Sequence, residues 1–282
     1  MKILFYILGF PIHFFGVMIA IGMLAGIYIS YLEASRKKLE VDRILDLAVY
    51  GIISAVVGAR LFYILFYDLS FYLQNPADII LINEGGLSIH GGIIGAFIFG
   101  WLYFKKHKLS FFKYADAIVP GIILGQGIGR VGCDVFGKVM SVTLPWGIER
   151  QGLLLHPTQL YEFVLNYLVF IILWRKRESI RYDGQLFIWY VILFSINRSI
   201  VELYRNNPSV VGWFSISHLL SIFLIITAVI IMFFLKRRRG DDPINSEASE
   251  KVGTHIMDWL KDMIIIIAVI TVSVIIFYTV QS

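Results

Sequence analysis

The sequence predicts an all-α fold, a polytopic transmembrane helical bundle with a seven-helix core and an eighth, C-terminal helix, and three observations predict it. Hydrophobic residues make up 58% of the 282 residues and charged residues only 16%, with a mean hydropathy of +0.76, far more apolar than a soluble globular chain. Apolar runs long enough to span a bilayer recur along the chain. Lysine and arginine gather in alternate gaps between those runs, the asymmetry that orients a membrane protein. The net charge of +5 is therefore read as loop charge, and nucleic acid is not expected as a partner. One cysteine, Cys133, excludes an internal disulfide and a multi-cysteine metal site, so neither metal nor cofactor is expected.

The opening MKILFYILGFP is broken by Gly9 and Pro11 and has no small-residue cleavage site, so it does not read as a removed leader. The apolar runs then cover about 14–32, 45–67, 91–104, 117–135, 162–174, 186–204, 213–235 and 263–280. Between the second and third, residues 68–90 are nearly free of basic residues and end in GGLSIHGG. A charged and polar stretch after Arg239 reads as a linker, which divides the chain into a transmembrane domain 1–239, a cytoplasmic linker 240–262 and an extra helix 263–282. The odd-numbered gaps hold eighteen lysines and arginines, whereas the N-terminus and the even gaps hold Lys2, Lys138, Arg150 and Arg205. The positive-inside rule puts the odd gaps in the cytoplasm and both termini outside.

Three basic residues remain inside the runs: Arg60, Arg130 and Arg198. Each lies five to seven residues before the outer end of its helix, roughly 8–10 Å below the boundary at about 1.5 Å per residue. An uncompensated guanidinium in hydrocarbon costs about 2.5–3.5 kcal/mol even on the most lenient scale, so these side chains point at something anionic. A lipid phosphate suits their forked donors, and a structural ion pair is the alternative. Glu202 stands at i+4 from Arg198, with Arg205 at i+7 on the same helical face, while Glu162 and Asp134 are the other carboxylates near that depth. In GIILGQGIGRVGCD, the glycines 121, 125, 129 and 132 share a face on which another helix can approach closely.

His90 sits on the side of the arginines and can either accept a proton near neutral pH or only hydrogen-bond its loop. Gly91 and Gly92 beside it permit close approach of a ligand or of a helix. The segment HPTQLYE, His156 to Glu162, starts the fifth helix behind Pro157 and brings Tyr161 to the interface.

Taken together and in order, GARLFYILFY, GGLSIHGGIIG, Asp116 through GQGIGRVG, HPTQLYE and NRSIVELYR resemble the prolipoprotein diacylglyceryl transferase family, from about Pro11 to Leu235. The resemblance implies a seven-helix enzyme of the bacterial plasma membrane with its site in the outer leaflet. It implies transfer of the diacylglyceryl group of phosphatidylglycerol to the thiol of the lipobox cysteine of a prolipoprotein signal peptide, with release of glycerol phosphate. By matching position, Arg130 is the phospholipid-binding arginine, Arg198 the second critical arginine and His90 the candidate base. Glu202 and Arg205 match the acidic and basic residues that follow, and with Arg60, Gly91, Gly92 and Tyr161 they make up the expected substrate-binding set.

The chain also departs from the family pattern. Cys133 to Lys138 replaces an Asn-Phe-x-Asn-Gly-Glu-like run, Phe15 stands where many members have tyrosine, and His218 stands near a usual glutamine. Every matched motif precedes residue 241, so the eighth helix receives no role and removal of residues 241–282 is expected to leave transfer largely intact. A non-catalytic protein that binds or moves anionic lipid would also explain three arginines at one depth, without needing His90 or HPTQLYE.

Overall fold

The computed structural model describes residues 2–7, 9–81, 85–212, 214–238 and 256–281. All eight expected spans fold as helices: α1 (Phe14–Arg36), α2 (Val41–Tyr67), α4 (Ile89–His107), α5 (Phe111–Val131), α6 (Thr158–Lys176), α7 (Gln185–Glu202), α8 (Ile216–Arg238) and α9 (Ile256–Gln281). A short α3 (Leu69–Gln74) and a 3-10 turn (Pro76–Ile80) fill the gap after α2. Among the described residues, four helices are long and apolar enough to cross a membrane, over Phe14–Arg36, Val41–Tyr67, Ile216–Arg237 and Trp259–Gln281. The chain is a multi-pass helical membrane bundle. Because α9 starts at Ile256, the end of the expected linker 240–262 is helical, and residues 240–255 lie outside the described residues.

Apolar patterning predicts no strand, yet the described residues include three two-stranded hairpins: β1 (Ile3–Ile7) with β2 (Phe10–His13), β3 (Ile148–Arg150) with β4 (Leu153–Leu155), and β5 (Ser209–Val211) with β6 (Phe214–Ser215). Turn chemistry explains the second. Gln151 and Gly152 take φ of 54° and 76°, and two successive positive φ values match the twist of a tight hairpin.

The chain divides into two compact units, Met1–Ser30 with Ala115–Ser282, and Tyr31–Tyr114. In the first, the glycine face of α5 meets a second glycine face on α1. A Cβ at Gly22 would come within 2.6 Å of the Gly125 carbonyl oxygen, and one at Gly26 within 2.8 Å of that of Gly121. The stripe is thus used for helix packing, since only residues without a side chain let two backbones lie this close. Asp116, fully buried on α5, accepts hydrogen bonds from the N–H groups of Gly184 (2.8 Å) and Phe187 (2.9 Å) at the start of α7. A carboxylate there satisfies orphan donors and complements the positive helix end, which fixes α7 relative to α5. Buried Asn197 on α7 donates to Asn166 on α6 at 2.7 Å, a polar tie between the helices that carry the candidate site.

In the second unit, α2 and α4 pack through Gly58, Gly91 and Gly95. A Cβ at Gly58 would lie 2.5 Å from the Gly91 carbonyl oxygen, and one at Gly91 would collide with Phe62 and Gly58.

Candidate active site

Helix α5 ends at Val131, earlier than the expected 135, because its last turn tightens into three-residue closures: Gly132 N–H reaches the Gly129 carbonyl at 3.3 Å and Cys133 N–H that of Arg130 at 3.2 Å. Asp134 therefore leaves the helix. Arg130 meets Glu162, buried in the first turns of α6, with Arg130 Nε 3.0 Å from Glu162 Oε1. Arg130 Nη1 also faces Cys133 Sγ at 3.7 Å, and the side chain is 36% exposed.

Helix α7 brings Arg198 to Glu202, as the i,i+4 spacing predicts, with Nη2 2.9 Å from Oε2. Arg205 does not extend that helical face. The helix stops at Glu202, Arg205 N–H closes on the Glu202 carbonyl at 3.1 Å, and the guanidinium turns toward Glu162, Nη1 to Oε2 3.8 Å. Glu202 Oε1 accepts from Asn207 Nδ2 at 2.8 Å and Ser215 Oγ at 2.7 Å, and Ser215 also meets His218 Nδ1 at 3.1 Å. His218 thus helps to seat the partner of Arg198.

Arg130, Arg198, Arg205, Glu162 and Glu202 form one charge cluster, and Arg198 feels the charges of all four others. Within it, the guanidiniums of Arg130, Arg198 and Arg205 face the carboxylates of Glu162 and Glu202. Among the described residues, Arg198 Nη1 is buried without a hydrogen-bond partner, and Nη2 has Glu202 and, at 3.4 Å, Ser217. A buried unmatched guanidinium N–H is costly, and an oxyanion is the group that would satisfy it.

An aromatic wall stands beside the cluster. Tyr161 Oη receives Trp146 Nε1–H at 2.9 Å and lies 2.9 Å from His156 Nδ1, while the Tyr204 ring packs on His156 and Tyr161 at centroid distances of 4.9 and 5.4 Å. Burial pushes the His156 pKa below its ordinary value. The chain from 133 to 157 is held around this wall by backbone bonds, among them Gly137 N–H to the His156 carbonyl (2.8 Å) and Lys138 N–H to that of Tyr204 (2.8 Å). A Cβ at Gly137 would strike the Tyr204 carbonyl and Thr158, so the departure at 133–138 still requires a glycine there. Trp146, His156 and Tyr204 are absent from the sequence-derived set, because a motif search has no means of pairing rings far apart in sequence.

The second unit holds Arg60, His90, Gly91 and Gly92. Arg60 is buried, and its guanidinium donates to five carbonyls: Ile79 (2.9 Å), Asp78 (2.5 Å), Leu81 (3.3 Å), Gly85 (2.8 Å) and Gly86 (3.1 Å). Gly86 has φ +71°, and a Cβ on it would collide with Arg60 Nη1. The first two glycines of GGLSIHGG therefore serve this clamp. His90 is exposed at the second residue of α4, its ring 6.3 Å from that of Phe62, and Gly92 faces Ala55 and Ala59 of α2.

Comparison with known proteins agrees with this arrangement. The family model described as prolipoprotein diacylglyceryl transferase matches residues 2–234, which contain every charged member of the cluster. The phosphatidylglycerol–prolipoprotein diacylglyceryl transferase of Clostridioides difficile is 34% identical over 243 residues, covering 86% of this chain and 98% of that protein. Those of Finegoldia magna (35% over 242 residues, covering 84% of this chain and 96% of that protein) and Bacillus mycoides (36% over 244 residues, covering 82% and 89%) are similar to it as well. With a match of this extent laid over helices that deliver paired but incompletely satisfied arginines, the chain belongs to the prolipoprotein diacylglyceryl transferase family.

Proposed function

We propose that this protein transfers the diacylglyceryl group of phosphatidylglycerol to the lipobox cysteine of prolipoproteins. The thiol loses its proton to a base, its sulfur bonds to the terminal glycerol carbon, and the carbon–oxygen bond to phosphate breaks as glycerol phosphate departs. Charge gathers on the leaving phosphate, so preorganised guanidiniums lower the barrier more than they tighten ground-state binding. The observation that carries this reading is the convergence of the Arg130, Arg198 and Arg205 guanidiniums together with Arg198 Nη1, buried without a hydrogen-bond partner among the described residues. Arg130 and Arg198 hold the phosphate in this scheme, while Glu162, Glu202 and Arg205 orient them. Tyr161 closes the wall beside them. Arg60 acts by holding the loop before His90, and Gly91 and Gly92 by letting α4 lie against α2. The basic asymmetry of the gaps supports a bacterial plasma-membrane enzyme whose site faces the outer leaflet.

The test is a labelled lipobox peptide incubated with phosphatidylglycerol and the purified protein. A mass gain of one diacylglyceryl group on the cysteine is expected, and lipid binding without that gain would reduce the protein to a lipid-binding one. The base assigned here is His90. His90→Gln is expected to slow transfer by about 10²–10⁴, with the defect shrinking as pH approaches the thiol pKa near 8.5. Near-normal turnover with an unchanged pH profile would leave His90 only a positioning role.

A further inference from the structure

The family match stops at residue 234, and α9 lies wholly beyond it. An apolar helix outside the working domain has two plain fates in a bilayer: it floats in lipid, or it packs on the bundle. Helix α9 packs, antiparallel to α6 and in register along its length. Asp262 pairs with Arg175 at 2.9 Å, Ser273 Oγ meets Tyr167 Oη at 2.9 Å, and the Phe277 ring lies 5.9 Å from that of Phe163. Tyr167, Phe163 and Phe277 are fully buried, in one core cluster with Phe14, Met18 and Val131. Interhelical hydrogen bonds and tight packing are what hold membrane helices together, so this contact is a built interface.

The far end of α9 reaches the turn that follows Arg130. Gln281 Nε2 donates to the Cys133 carbonyl at 3.2 Å, the same oxygen that receives Gln159 Nε2 of α6 at 3.3 Å. Arg150 Nη2 in turn donates to the Gln281 carbonyl at 2.7 Å and to its Oε1 at 3.2 Å. One turn earlier, Tyr278 Oη donates to the Trp146 carbonyl at 2.7 Å, behind the indole that donates to Tyr161. Helix α9 thus holds both ends of the segment between Arg130 and the aromatic wall.

We propose that α9 is a fused positioning element of the transferase site, in which Gln281 and Tyr278 fix the Arg130 turn and the Trp146–Tyr161 pair. Neither residue touches the reacting atoms. Their effect is on where the Arg130 fork stands when the phosphate leaves, and a small misplacement of such a group lowers turnover more than binding. This reading rests on the transfer activity proposed above, and it reverses the expectation that residues 241–282 are dispensable.

The experiment compares the full-length protein with Gln281→Leu, Tyr278→Phe and a chain ending after Arg238, all in detergent. Backbone hydrogen exchange across residues 133–157 is measured first, because it does not depend on activity. Faster exchange in Gln281→Leu and in the truncated chain is expected, with α6 and α7 still protected. Unchanged exchange would overturn the proposal whether or not the wild type transfers lipid. On folded protein, Gln281→Leu is expected to lower kcat about tenfold with KM for phosphatidylglycerol nearly constant, and Tyr278→Phe to act in the same direction more weakly. If the truncated chain fails to fold, Gln281→Leu decides alone. Wild-type kcat in that variant would overturn the proposal, while a wild type that transfers nothing would strike the functional reading and leave the exchange result to judge the brace.

Discussion

Arg60 and Arg198 are the same residue type, each in the C-terminal part of an apolar helix, and they are used in opposite ways. Arg60 has every donor matched by a backbone carbonyl, so its guanidinium ties Asp78, Ile79 and Leu81 to Gly85 and Gly86. Arg198 shares one nitrogen between Glu202 and Ser217 and keeps Nη1 buried without a partner among the described residues. A deep arginine is therefore not in itself a ligand site. What separates the two is how many of the five N–H groups the protein has already satisfied.

The largest effect expected from that difference comes from replacing arginine by lysine. An ammonium keeps the charge but loses the planar pair of donors, so Arg130→Lys and Arg198→Lys should each lower kcat by about 10²–10³, nearly as much as alanine, in protein that folds normally. Arg60→Lys should behave in the opposite sense. Three donors cannot satisfy five carbonyls, so folded yield and melting temperature should fall while the turnover of whatever folds is kept. Steady-state kinetics beside thermal melts separate the outcomes, and a fully active Arg130→Lys would remove the forked phosphate contact from the scheme.

A smaller effect is expected at Glu162, which touches Arg130 and Arg205 together. Glu162→Gln keeps the shape and one acceptor but removes a negative charge from the cluster, which frees both guanidiniums. We expect kcat to fall by about tenfold while KM for phosphatidylglycerol falls as well, because an unpaired arginine binds the anionic headgroup more tightly in the ground state. A variant in which KM rises would place Glu162 on the substrate instead.

How much of this was legible depended on whether the signal was local. The spacing of Gly121 and Gly125 announced a close helix crossing, and that of Arg198 and Glu202 an ion pair, because helical periodicity turns sequence distance into spatial distance. Arg60 was not legible, since backbone carbonyls belong to every residue and leave no trace in a sequence. The pairing of Arg130 with Glu162 was not legible either, because the two stand on different helices far apart in sequence and no helical period links them. Helix α9 was visible as a helix but not as a neighbour of α6, because a face that meets lipid and a face that meets another helix are equally apolar.

The smallest expected effect lies at the aromatic wall, in the protonation of His156. Tyr161 Oη accepts the Trp146 indole proton and can give its own to His156 Nδ1, which requires the neutral imidazole with its proton on Nε2. Burial already pushes this histidine below its ordinary pKa, so the unfolded chain takes up the proton before the folded one does. Stability from the neutral ring is therefore present above about pH 6.5 and is lost as pH falls through the folded pKa, since the folded state must then carry a charge that its surroundings disfavour. His156→Asn keeps an acceptor for Tyr161 and does not titrate. Its melting temperature should fall less than that of the wild type between pH 7 and pH 5, by about one or two degrees for a protein of this size. Parallel melting curves for the two proteins across that range would mean that the ring is not the group that titrates, and the wall would owe its geometry to the Trp146–Tyr161 bond alone.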